Sequence, residues 1–547
     1  MKRMVVTLGA AAAAFLLATS AFAQEKGRSD ASALEQGQSC SSMMKEDLSG
    51  VPDAPTQIVS TNVTSVGSSG PAFCLLAGYV IPNVGLKMGL PTTWNGKFIE
   101  LGCGGNCGIL PKDDEFSTWC GAELRMGYAC IVSDMGHRGS MSDSLWAANN
   151  LQAMVDFGYR ATHVVALAGK AIAERYYARA PRRSYFMGCS TGGRQALVEA
   201  QRFPWDFDGI VAGSPPVDLA VSIMTGVWNT DVAHDTHGKP LLSRDDLKLI
   251  HQAALAKCDL DDGIKDGIIG DPLHCAFDPA ELSCKSGQTR ECLTREQISV
   301  VKRIYSGPVT STGLRLSTGG PLPGSEYENR EWDGGTWREL TTADESARRG
   351  LVSALHYLYM AMAPPDGSRP NDFDFDRDYQ RLSGSLYDSS NPNLRKFKAA
   401  GGKLIVYHGL NDPMVLPRAT IDYYESVERT MGGRAATQAF VRLFAVPGMD
   451  HCLFGDGAFA VDWLGALEAW VEQGQGPTRL IASHVNVDDL TYDEDKPADM
   501  ERLARRLEFP LDPAKIEFSR PIYPYPIRAK YKGSGDPKDA ANFVPVR

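Results

Sequence analysis

Gly188-Cys189-Ser190-Thr191-Gly192 is a G-x-S-x-G turn, and its flanks decide the fold. Before it, Ser184-Tyr185-Phe186-Met187 is apolar and β-prone, as in a buried strand. After it, residues 193–203 read as a helix. Strand, tight turn and helix are the setting of a nucleophile elbow. Its glycines admit a strained turn and leave the serine hydroxyl exposed at a helix N-terminus. Short G-x-S-x-G matches also arise in ordinary glycine-rich turns, so the motif needs partners.

Chain order supplies them. In hydrolases built on this elbow, the serine is followed by an acid and then a histidine. Of the ten histidines, only His408, His451 and His484 lie in the C-terminal third. Lys403-Leu404-Ile405-Val406-Tyr407 is an apolar strand that runs through His408-Gly409-Leu410-Asn411 and delivers Asp412. Phe440-Val441-Arg442-Leu443-Phe444-Ala445-Val446 is a second strand, and the turn Pro447-Gly448-Met449-Asp450 delivers His451. His484 has polar surroundings and no comparable strand-loop setting. Ser190, Asp412 and His451 are therefore the expected triad, each at the C-terminal end of a strand, where parallel-sheet enzymes build their sites. His451 would take the serine proton and later return it to the leaving alkoxide, while Asp412 fixes the imidazole tautomer. Cys189 precedes the serine and Cys452 follows the histidine. A formed triad brings these cysteines together, and a disulfide between them would clamp the elbow to the histidine loop.

The other half of the site lies before the elbow. Trp94-Asn95-Gly96-Lys97-Phe98-Ile99-Glu100-Leu101-Gly102-Cys103-Gly104-Gly105-Asn106 reads as a strand running into a glycine-rich loop. Such a loop gives one oxyanion-hole amide, expected from Gly105, and the residue after the nucleophile, Thr191, gives the other. A plain turn explains the glycines equally well. The loop lacks a G-x-G-x-x-G opening a helix, so a dinucleotide site is not indicated.

Lys2-Arg3, an apolar run over residues 5–17 and Ala21-Phe22-Ala23 read as a signal peptide over residues 1–23. No cysteine follows the cleavage site, which argues against a lipid anchor. The apolar run is too short to span a membrane, and no later segment offers a span. The expected location is secreted or periplasmic, where disulfides persist. All twelve cysteines follow the signal, an even count that permits complete pairing. The pairing among Cys103, Cys107, Cys120 and Cys130 stays open. A net charge of −10 argues against nucleic acid or an acidic membrane surface as partner.

Strand-and-helix alternation runs from about residue 92 to 216 and resumes near residue 397. The expected architecture is α/β: an α/β-hydrolase fold with a large inserted lid domain. Its hydrolase parts are residues 24–216 and 396–547, and the lid is residues 217–395. A lid over the site can exclude water and shape the acyl pocket. Trp332, Trp337, Tyr357 and Tyr359 are candidate pocket aromatics, though lid core is the commoner role for such residues.

The lid contains Cys258-Asp259-Leu260-Asp261-Asp262-Gly263-Ile264-Lys265-Asp266-Gly267-Ile268, followed by Cys275. Asp259, Asp262 and Asp266, with the backbone carbonyls of Ile264 and Ile268, could offer hard oxygen ligands to calcium. A solvated acidic turn explains the string equally well. It is not an EF-hand, because Gly263 and Gly270 stand where that loop needs a ligand and its closing glutamate. Cys258 and Cys275 could staple the loop, which favours the metal reading.

Together these stretches resemble the tannase and feruloyl esterase family. The likeness rests on Gly188-Cys189-Ser190-Thr191-Gly192-Gly193-Arg194, His408-Gly409-Leu410-Asn411-Asp412 and Pro447-Gly448-Met449-Asp450-His451-Cys452. It extends to Asp208-Gly209-Ile210-Val211-Ala212-Gly213-Ser214-Pro215, to the acidic loop and to Tyr531-Lys532-Gly533-Ser534-Gly535. The resemblance implies an α/β-hydrolase domain with a lid, a disulfide beside the triad, and Ca2+ held in the lid as structure. It implies cleavage of feruloyl esters of plant cell walls or gallate esters of tannins. Cys40, Cys74, Cys284 and Cys292 join Cys189, Cys452, Cys258 and Cys275 as expected disulfide cysteines. A branch of the family that hydrolyses mono(2-hydroxyethyl) terephthalate carries glutamate after the nucleophile. Thr191 stands there in this chain, which points away from terephthalate monoesters. Tyr523 stands where some relatives carry a cysteine, so one family disulfide is absent. The expected activity is that of a serine carboxylic-ester hydrolase on a small aromatic ester. Feruloyl or hydroxycinnamoyl esters come first, galloyl and terephthaloyl esters are the alternatives, and a silent binding protein on the same scaffold is the remote one.

Overall fold

The computed structural model describes residues 39–67, 70–141, 144–327, 336–341, 373–379, 386–490 and 497–547. The expected signal peptide and three of the four lid aromatics, Trp332, Tyr357 and Tyr359, lie outside these residues. The α/β-hydrolase expectation holds. A nine-stranded sheet has the order β1-β2-β3-β5-β4-β6-β7-β8-β9. From β5 outward the strands are parallel: β5 (Ala129–Ser133), β4 (Lys97–Leu101), β6 (Arg183–Cys189), β7 (Gly209–Gly213), β8 (Lys403–Gly409) and β9 (Val441–Val446).

These strands are short, nearly continuous apolar runs because both sheet faces are covered. Alternate side chains feed two separate cores. Phe98, Ile210, Ala212, Leu404 and Val406 pack with Ala161, Val165 and Leu197, from the helices Ala161–Tyr177 and Thr191–Arg202. Ile99, Val211, Ile405 and Tyr407 pack with Phe116, Leu124, Trp463 and Leu467, from the helices Phe116–Arg125 and Trp463–Gln473.

Strand-and-helix alternation is legible in the sequence only from about residue 92. The sheet begins earlier, with β1 (Thr56–Ser65), β2 (Ala72–Val80) and β3 (Val84–Pro91) added antiparallel. Most of β1 is exposed or half-exposed, so it lacks the clean apolar alternation that marks a strand. Two small antiparallel sheets follow β9: β10 (Leu480–Val485) with β11 (Ile516–Ile522), and β12 (Arg528–Tyr531) with β13 (Phe543–Val546).

Among the described residues, the chain between β7 and β8 adds no strand to the main sheet. It builds its own core from Trp228, Leu247, Ile250, Val301, Ile304 and Trp337. Two of its helices, Arg244–Cys258 and Arg295–Ser306, open on capping boxes, Ser243 with Asp246 and Thr294 with Gln297. Each box satisfies amide donors that the first helical turn leaves without partners.

All twelve cysteines are paired. The bonds are Cys40–Cys74, Cys103–Cys107, Cys120–Cys130, Cys189–Cys452, Cys258–Cys275 and Cys284–Cys292. The structure thus closes the pairing the sequence left open near the glycine loop. Among the described residues, no helix is long and apolar enough to cross a membrane.

Candidate active site

The elbow is strained where the motif requires it. Ser190 has φ 60° and ψ −125°, outside the usual wells, and caps the helix Thr191–Arg202. The Ser190 amide donates to the Gly213 carbonyl at 2.9 Å. The glycines permit this close approach of strand and helix. A Cβ on Gly188 would stand 2.7 Å from the Gly192 carbonyl, and one on Gly193 would stand 2.1 Å from the Gly213 oxygen.

Asp412 and His451 meet as expected. The His451 Nδ1–H donates to Asp412 Oδ2 at 2.7 Å. In the neutral ring this fixes Nε2 as the unprotonated nitrogen. Asp412 Oδ1 accepts from the amides of Met414 and Val415, both at 2.9 Å. A partner not foreseen from sequence is His408, at the end of β8. Its Nε2 lies 3.2 Å from Asp412 Oδ2 and 2.9 Å from the Val415 carbonyl, while its Nδ1 lies 2.8 Å from Thr420 Oγ1. The available signal was position, four residues before the acid on the same strand end. Asp412 is completely buried. Burial pushes its carboxyl upward, but the charge of a protonated His451 and the hydrogen bonds from His408 and His451 outweigh it. The group is held well below the ordinary carboxylate range.

His484, expected in polar surroundings, instead lies on β10 (Leu480–Val485) among the rings of Phe459 and Phe518. It is buried, bonds the Gly457 carbonyl through Nδ1 at 2.7 Å and stacks on Phe518. The Cys189–Cys452 bond joins the residue before Ser190 to the residue after His451, with Cα atoms 5.8 Å apart. The elbow and the histidine loop are therefore covalent neighbours across a sequence separation of 263 residues.

Gly105 and Thr191, the expected oxyanion donors, are also brought together. The Thr191 hydroxyl donates to the Gly105 carbonyl at 2.6 Å. Neither amide bonds another described residue, so both remain available as donors. Gly105 needs its φ of +55°, and a Cβ there would stand 2.6 Å from the Met141 carbonyl. The loop is set from below by the Cys103–Cys107 bridge, by Asn106 donating to the Met141 carbonyl at 2.7 Å and by His137 Nε2–H donating to the Asn106 carbonyl at 2.7 Å.

The acidic loop is ordered by its own carboxylates. Asp259 accepts from the amides of Asp266 and Gly267 at 3.2 and 3.1 Å, and Asp262 accepts from that of Ile264 at 3.1 Å. Arg520 on β11 donates to Asp266 Oδ2 at 2.6 Å. Burial, and then the charges of Asp266 and Asp259, push the Asp262 carboxyl up to about 7. The carbonyls of Ile264 and Ile268 accept no hydrogen bond from the described residues. An all-oxygen set with surplus negative charge fits a hard cation in kind. The three carboxylates do not converge to within 4.8 Å of one another, so the loop as it stands holds them looser than a closed cage. Trp337 is buried in the core of the segment between β7 and β8, where its Nε1–H donates to Ser325 Oγ at 3.2 Å.

Comparison with known proteins agrees with this geometry. The family described as Tannase and feruloyl esterase matches residues 73–546. An uncharacterized esterase of Xanthomonas campestris pv. campestris is 33% identical, over 92% of this chain and 90% of its own. Mono(2-hydroxyethyl) terephthalate hydrolase of Piscinibacter sakaiensis is 33% identical, over 88% of this chain and 86% of its own. The crystal structure of feruloyl esterase B from Aspergillus oryzae superposes with a TM-score of 0.76 at 24% identity, covering 93% of this chain and 100% of that one.

Proposed function

We propose, from the premise that this chain belongs to the tannase and feruloyl esterase family and is a carboxylic-ester hydrolase, that it cleaves phenolic acid esters through an acyl-enzyme on Ser190. The observation that carries this reading is the His451–Asp412 hydrogen bond, together with the Cys189–Cys452 bridge between the residue before Ser190 and the residue after His451. His451 Nε2 takes the Ser190 proton as the hydroxyl oxygen attacks the ester carbonyl. The amides of Gly105 and Thr191 stabilise the oxyanion. The tetrahedral intermediate expels the alkoxide, which His451 protonates. Water then attacks the acyl-serine with His451 again as base, releasing the acid.

Feruloyl and hydroxycinnamoyl esters are the first substrates in this reading. Thr191 supports it over terephthalate monoesters, because its side chain is buried and its hydroxyl is engaged by Gly105. No acidic group stands at that position. Six disulfides with no free cysteine favour an oxidising compartment, so export to the periplasm or beyond is part of the proposal. Ca2+ held by Asp259, Asp262, Asp266 and the carbonyls of Ile264 and Ile268 would neutralise the loop and brace the lid. It takes no part in the chemistry.

The test is side-by-side hydrolysis of methyl ferulate, methyl gallate and mono(2-hydroxyethyl) terephthalate by wild type and Ser190→Ala. The proposal expects methyl ferulate to have the highest kcat/KM and Ser190→Ala to lose it. A higher kcat/KM for either other ester overturns the acyl assignment, and an active Ser190→Ala overturns the mechanism.

A further inference from the structure

A second polar cluster lies at the far end of the elbow helix. Glu199 is nine residues beyond Ser190, about 13 Å along the helix axis. It faces His163 on the helix Ala161–Tyr177 and Asp206 in the turn into β7. One ligand atom from each of these three residues lies within 4.8 Å of the others. His163 Nδ1 is 2.5 Å from Asp206 Oδ2.

Glu199 is completely buried, and neither of its oxygens meets a hydrogen-bond donor among the described residues. Asp206 Oδ1 and, on β4, Glu100 Oε2 are buried in the same condition. A buried carboxylate with no donor on either oxygen, as at Glu199, is costly, and two further carboxyl groups beside it add to that cost. Lys170, which donates to the Asp206 carbonyl, is the cation that interacts with all three. Three carboxyl groups face one ammonium, so the surplus must be met either by protons or by a cation.

We propose that His163, Glu199 and Asp206 bind a divalent transition-metal ion that staples the end of the elbow helix to its neighbours. One imidazole and two carboxylates suit Zn2+, or Co2+ as its probe, better than calcium, which takes oxygens alone. A cavity of about 420 Å³ opens against His163, lined also by Leu167, Phe203 and Trp205. Of the three proposed ligands only His163 lines this cavity, together with the cationic Arg202. The competing account is a proton shared between Glu199 and Asp206. The site lies away from Ser190, His451 and the acidic loop, so its role is structural.

Co2+ titration decides between the two. Calcium-saturated full-length protein, stripped of transition metals with dipicolinate, is titrated with Co2+ while visible absorption and melting are followed. Metal content is measured after desalting. The proposal expects one Co2+ per chain with nitrogen-ligand absorption, a raised Tm with Zn2+, and loss of both in His163→Gln and Glu199→Gln, with ester hydrolysis retained. Wild-type protein that retains no Co2+ overturns it, whether or not the variants fold. A Glu199→Gln variant that melts at or above wild type also overturns it, because a glutamine amide replaces the shared proton and no metal is lost. Co2+ binding that survives in His163→Gln places the ion elsewhere and overturns it equally.

Discussion

Asp412 is buried in the loop after β8, Asp262 is half-buried at the end of a short 3-10 helix, and the two carboxyl groups are shifted in opposite directions. The Asp412 carboxylate receives two backbone amides and two imidazoles, and is held far below the ordinary range. Asp262 receives one amide and faces two other carboxylates, and is pushed up to about 7. Burial opposes charge in both. The partners decide, and only the first region carries them in its own fold. The Asp412 charge is thus met by protein atoms, whereas the acidic loop has an electrostatic deficit that a cation would fill.

The largest effects are expected at the triad. Ser190→Ala should reduce kcat by roughly 10³–10⁶-fold with the Tm unchanged, and His451→Ala should match it. The double variant should be no slower than either single one, since triad members act as a unit. A double variant far below both would show two independent routes. Asp412→Asn should lower kcat by about 10⁴-fold, because an amide at that site favours the wrong imidazole tautomer. Steady-state kinetics on methyl ferulate read both effects.

The clamp is the next step down. Cys189→Ala with Cys452→Ala should lower kcat by roughly 10–100-fold with little change in KM, since the tether positions His451 against Ser190. Closing a loop with a separation of 263 residues stabilises by at most about 5–6 kcal/mol, less because other bridges shorten it, so melting should also fall. A free thiol at either position in freshly exported protein would sink the assignment. Thr191→Val should cost about tenfold in kcat, the worth of one hydrogen bond aligning the two oxyanion donors. Unchanged kcat would show that the Gly105 loop is held by its disulfide alone.

The acidic loop should respond in melting before it responds in turnover. Chelation should lower the Tm by a few degrees, and Asp262→Ala should melt earlier and respond less to added Ca2+. The pH dependence has a definite sign. Asp262 titrates near 7 in the folded chain and near ~3.9 when unfolded, so the folded, metal-free protein holds that proton more tightly. That contribution is fully present below pH ~4 and is lost as pH rises to about 7. Ca2+ replaces the proton, so the Tm gap between loaded and chelated protein should widen between about pH 5 and 8. A gap that does not change with pH would mean that Asp262 does not ligate.

The elbow, the order Ser190, Asp412, His451 and the strands that deliver them are legible in the amino-acid string. Each is a local signal: glycines at a strained turn, an apolar run ending in a loop, a cysteine placed against each reacting residue. Strand β1 escaped notice because an edge strand with one face in solvent carries little apolar pattern. The pairing of Cys103 with Cys107 and of Cys120 with Cys130 needed distances. The tertiary structure alone decided what surrounds each charge. His408 reads as one more strand residue until β8 and the turn after it bring it to Asp412. Arg520 is 254 positions from Asp266 until β11 brings them into contact. Glu100, His163, Glu199 and Asp206 lie on four separate elements and form one cluster only when the sheet and its helices pack. Electrostatic state depends on distance and burial, and neither is a property of a position in a string.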